Sequence, residues 1–164
     1  VTFLAQMAVQ MAALFGFGSE DAAFLQLGPT AGINLQGLLL GGIMLGALGV
    51  LDDICMSQVS TVFELRKANK DLSFYELYQR GMNVGKDHVA SLVNTLVLAY
   101  AGTNLPLFIL FSTSNEVPLW VRFNSEFIAE EVVRTLVGSI GLVVAVPLTT
   151  MIAAYWASKL KMKN

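Results

Sequence analysis

Long apolar runs alternate with short polar segments along this chain. Crossing a bilayer takes about 20 mostly apolar residues. Four stretches fit that demand: residues 1–17, 35–63, 89–111 and 135–157. The first is short at its start. The third and fourth hold no charged residue, whereas the second is interrupted by Asp52 and Asp53. The pattern predicts an all-α, polytopic transmembrane helix bundle with about four spans, forming one domain over residues 1–164.

The segments between the spans set an orientation. Residues 18–34 carry Glu20 and Asp21 and no base, while residues 64–88 carry Arg66, Lys67, Lys70, Arg80 and Lys86. Residues 112–134 hold Arg122 and Arg134, and the tail holds Lys159, Lys161 and Lys163. Short loops rich in Lys and Arg stay on the cytoplasmic side. Loop 64–88 and both ends of this segment are therefore expected in the cytoplasm, in a multi-pass protein of the cell membrane. Ser73 and Glu76 have capping-box spacing, which opens a helix. Phe74, Leu77, Tyr78 and Met82 would share its face, as in an amphipathic helix on the cytoplasmic surface. Gly81 and Gly85 are expected to loosen that helix before the third span. Pro118, Trp120 and Phe123 suit the opposite headgroup level.

Composition narrows the function classes. Of 164 residues, 55% are hydrophobic and 13% charged. An ordinary soluble domain carries about 25% charged residues, so a free-standing soluble enzyme is disfavoured. A net charge of −2 removes the electrostatic case for nucleic-acid binding. Cys55 is the single cysteine, which leaves neither an intrachain disulfide nor a cysteine-cluster metal site. No cofactor motif is present, and Gly16-Phe17-Gly18 is too short for a phosphate loop. The chain starts at Val1, is apolar from Thr2 and lacks a basic leader region, so it reads as a piece of a longer protein.

The candidate chemistry lies in the second span. A carboxylate inside a bilayer is costly unless paired or hydrated, and such residues are functional by default. The stripe Gly42, Gly46, Gly49, Asp53, Ser57, Ser60 and Glu64 is spaced by threes and fours, and every member is small or polar. Small residues admit a second helix backbone, while the hydroxyls below form a route for water and protons. Asp53 is the first choice of relay group and Asp52 the second, with both acids held inside the bundle. Ser57, Asn94 and Thr95 join them as proton-relay or ion-binding candidates, with Ser91, Thr149 and Thr150 at a similar depth. Glu64, Lys86, Asp87 and His88 are candidates for a cytoplasmic mouth, because imidazole changes charge near neutral pH. The other reading of the acids is structural, specifying helix register. An intramembrane hydrolase lacks a convincing base and metal set.

Two runs resemble a known family: LGALGVLDDICMSQVSTVFEL at residues 45–65 and GMNVGKDHVASLVNTL at 81–96. Both look like the YibE/F family of multi-pass bacterial inner-membrane proteins, from about Leu35 to the C-terminal region. The resemblance implies further N-terminal spans beyond this segment. A wider similarity is to the membrane half of RND transporters and the SecD/SecF proteins. It implies an RND-like half-bundle in which Asp52 and Asp53 carry protons and Asn94 and Thr95 lie nearby. No lysine in the spans answers the acids. The implied function is a proton-coupled secondary transporter or translocation device. The alternative is a non-transporting structural or assembly subunit. Expected partners are the lipid bilayer, the missing spans or a paralogous membrane subunit, and a second copy of the chain.

Overall fold

The computed structural model describes residues 1–27, 32–113 and 118–160, with the backbone alone at Leu107, Leu110 and Phe111. Lys161 and Lys163 of the expected basic tail lie outside the described residues. The helices are α1 (Thr2–Met11), α2 (Glu20–Leu25), α3 (Leu35–Ala68), α4 (Phe74–Thr103), α5 (Leu105–Thr113), α6 (Leu119–Phe123) and α7 (Glu126–Lys159). No strand occurs among the described residues. Two described helices, α3 and α7, are long and apolar enough to cross a membrane.

The other two expected spans take a different form. The apolar start is helical only to Met11 and then turns, with Ala13 at φ 49° and Gly16 at φ 88°. The surface helix and the third span are one continuous α4, and its break comes later, at Asn104. Gly81 and Gly85 do not interrupt it. Both are buried contact points, and the helix runs on through them without the expected loosening.

The chain divides into two compact units. One comprises Val1–Ala47 and Leu96–Gly138, the other Leu48–Thr95 and Ser139–Asn164. In the first, Ala5 and Val9 of α1 pack with Leu39 and Ile43 of α3 and Val133 and Val137 of α7. The turn after α1 is pinned by polar bonds. Glu126 Oε1 accepts from the backbone N–H groups of Phe15, Gly16 and Phe17 at 2.6, 2.8 and 3.3 Å, and Glu130 Oε1 accepts from Gly18 at 3.0 Å. Successive backbone donors curled around an anion make a nest. Gly16 is required there, at φ 88° and with a Cβ that would lie 2.4 Å from the Leu35 carbonyl oxygen, whereas a Cβ on Gly18 would meet only the movable Glu130 carboxylate at 2.6 Å. Gly16-Phe17-Gly18 thus does cradle an anion, but a carboxylate of its own chain.

In the second unit, Val62, Leu72, Leu77, Ala153, Ala154 and Ala157 form the core. Small alanines on α7 allow close packing. The capping box is present: Glu76 Oε2 accepts from the Ser73 N–H at 2.8 Å, and Ser73 Oγ accepts from the Glu76 N–H at 3.3 Å. The face read as membrane-surface turns partly inward, because Leu77 is fully buried.

Candidate functional site

On α3, residues 53, 57, 60 and 64 fall on one helical face by their spacing of three and four. On α4, His88 and Ser91 are one turn apart. These faces meet within the second unit. Asp53, Ile54, Ser57, His88, Ser91 and Leu92 line a cleft of about 250 Å³. Ser57 also lines a second, open cleft with Ser60, Thr61 and Glu64. Polar groups therefore run along α3 from Asp53 to Glu64, with Ser57 common to both clefts. Thr61 Oγ1 donates to the Ser57 carbonyl at 2.9 Å, so its proton is committed to the helix backbone.

The arrangement joins two constellations that the sequence places in separate roles. Asp53 and Ser57, expected in the relay, and His88, expected at the mouth, share one cleft. Other candidates stay apart from it. Asp52 is exposed, about 100° round the helix from Asp53. Lys86, Asp87 and Asn94 are exposed and do not line the cleft. Thr95 bonds back to the Ser91 carbonyl at 3.0 Å. Glu64 pairs with Lys67 at 2.6 Å on the exposed end of α3.

Two expectations about burial need correction. The acids are not enclosed by this chain, since Asp52 and Asp53 are both exposed. The glycine stripe above them is likewise open: a Cβ on Gly42, Gly46 or Gly49 would meet nothing within 4 Å. Thr149 and Thr150 do not serve the acids either. Thr149 Oγ1 lies 3.2 Å from Cys55 Sγ, and Thr150 Oγ1 accepts from Gln58 Nε2 at 2.7 Å. Cys55 and Gln58 point away from the Asp53 face, and α7 packs on that other side.

Gln58 is the polar residue whose role the hydropathy pattern concealed. It is fully buried, and Nε2 also donates to the Gly81 carbonyl at 2.7 Å. Thr150 Oγ1 donates onward to the Val146 carbonyl at 2.6 Å. Gly81 and Gly85 make room: a Cβ on Gly85 would lie 2.5 Å from Val146 Cγ1 and 2.9 Å from Gln58 Nε2. The spacing Gly-xxx-Gly was the available signal, since small residues at that interval mark close helix contacts. Among the described residues, no group of three His, Cys, Asp or Glu forms a metal site.

The model of the family described as YibE/F-like protein matches residues 1–159. The chain belongs to the YibE/F-like family. The match extends the resemblance, carried by two motifs from about Leu35 onwards, to the start of this sequence. No curated protein and no solved structure matches. Family membership and the two long apolar helices make this YibE/F-like chain a membrane protein.

Proposed function

We propose that this YibE/F-like chain is part of a proton-coupled secondary transporter or translocation device. The supporting observation is the cleft that Asp53, Ser57, His88 and Ser91 line together. In this reading the Asp53 carboxylate takes up a proton and the imidazole of His88 exchanges it. The hydroxyls of Ser57 and Ser91 hold relaying water. Loss of the Asp53 charge shifts the preferred packing of the helices around it. The polar track from Ser57 to Glu64 supplies the cytoplasmic approach. The reading includes four crossings, in the apolar stretches 1–17, 35–63, 89–111 and 135–157. Both ends face the cytoplasm, and eight of the ten Lys and Arg lie on that side. The RND and SecD/SecF analogy supplies the type of coupling.

Asp53→Asn and His88→Gln in the full-length protein, reconstituted in proteoliposomes under a pH gradient, test this. Both should cut proton flux at least about tenfold while eluting as wild type does, as loss of a relay group would. Undiminished flux in Asp53→Asn rejects the relay. Asp52→Asn should retain more flux, because Asp52 does not line the cleft.

The open glycine face favours a second reading, an assembly subunit. Gly42, Gly46 and Gly49 would then receive a helix of another membrane subunit or a second copy, and the acids would fix its register. Wild-type protein without flux, together with crosslinking from Gly46→Cys to another chain, would favour that reading.

A further inference from the structure

The first unit holds a further cleft that the relay does not use. It has a volume of about 390 Å³ and is lined from α4, α5 and α7 and by Phe123 at the end of α6. That volume lies in the range of small-molecule sites, about 300–1,000 Å³. Its walls include the rings of Tyr100, Phe108, Phe123 and Phe127, with aliphatic side chains between them. Glu131 is the one carboxylate among the described lining residues.

The chemistry of Glu131 selects the ligand. Its side chain is 28% exposed and accepts no hydrogen bond from a described residue. Arg134 forms an ion pair with it, Nε to Oε1 at 3.5 Å, longer than the usual 2.7–3.2 Å of a donating N–H, and Arg134 does not itself line the cleft. The neighbouring polar groups are already engaged. Asn104 Nδ2 donates to the Tyr100 carbonyl at 2.9 Å, and Thr135 Oγ1 to the Glu131 carbonyl at 2.8 Å. A half-buried carboxylate in a cleft lined by four aromatic residues attracts positive charge, and a ring adds to that attraction where a cation lies over its face. A small hydrated metal ion finds too few oxygen ligands there. A neutral acyl chain would cover Glu131 and leave the long Arg134 contact as its sole charge partner among the described residues.

We propose that this cleft binds a hydrophobic organic cation, with Glu131 facing the charge and the rings of Tyr100, Phe108, Phe123 and Phe127 enclosing the apolar body. The site names a substrate class for the transport reading, and it rests on that reading only for the step from binding to movement.

The probe is tetraphenylphosphonium, measured by equilibrium dialysis against the purified full-length protein in detergent. Saturable binding is expected, weakened at least about tenfold in Glu131→Gln. Phe127→Leu keeps an apolar wall but removes a ring, and should weaken binding several-fold. Tetraphenylborate, an anion of matching shape, should show no saturable binding. Equal uptake of the two ions would overturn the proposal, as would wild-type affinity in a well-folded Glu131→Gln. If Glu131→Gln does not fold, Phe127→Leu decides, and undiminished affinity there overturns it. Wild-type protein that binds the phosphonium but passes no protons would retain this site while rejecting the transport reading.

Discussion

Gln58 on α3 and Thr150 on α7 are joined by a 2.7 Å hydrogen bond, and both side chains are wholly buried. The same amide nitrogen reaches the Gly81 carbonyl on α4, so one side chain ties three helices together. Thr150→Val keeps the shape and removes the hydroxyl. It should destabilise the protein by about 1–3 kcal/mol, the cost of leaving a buried donor without its partner. Reversible unfolding in detergent, followed by circular dichroism, measures it.

Two glycines on different helices should respond in opposite ways. Gly85→Ala forces a methyl to within 2.5 Å of Val146 Cγ1. Overpacking of this kind costs about 1–3 kcal/mol, more than the roughly 1 kcal/mol gained from helix propensity. Gly46→Ala meets nothing within 4 Å and keeps that gain. The melting temperature should therefore fall for Gly85→Ala and hold or rise for Gly46→Ala. Equal effects would contradict the close contact at Gly85.

Glu126 organises the turn after α1 through three backbone donors. Glu126→Ala should free the amides of Phe15, Gly16 and Phe17, at about 1–3 kcal/mol. Hydrogen exchange read by mass spectrometry should show faster exchange over residues 15–18, with the core around Ala154 unchanged.

The start of α4 should be sensitive to acid. Backbone and side-chain hydrogen bonds from Ser73 hold the Glu76 carboxyl below its ordinary value. A depressed carboxyl stabilises the folded state above its unfolded pKa, and that contribution disappears as pH falls through the folded value. Protection of the first-turn amides should therefore drop on acidification below the usual carboxylate range. Ser73→Ala should lower protection at neutral pH and flatten the pH response.

Orientation has a direct test. Lys70 lies in the basic segment between α3 and α4. A cysteine at Lys70, in a Cys55→Ser background, should react with an impermeant maleimide only from the cytoplasmic face. Labelling from the opposite face would reverse the assigned topology.

The chain's own pattern was enough for its helical class, its membrane character, its family and the Ser73–Glu76 cap. These depend on local periodicity and composition, which each segment carries by itself. Asp53 also stood out, because a carboxylate amid apolar residues is conspicuous wherever it points. Packing decided the rest. Only the contact of α3 with α4 brings His88 beside Asp53, and only the contact of α3 with α7 commits Thr149 and Thr150 to Cys55 and Gln58. Gly81 and Gly85 proved to be contact points and the Gly42–Gly49 stripe an open face. The reason is physical: a glycine's spacing declares that a backbone can approach, and the approach itself belongs to a second helix far away in sequence.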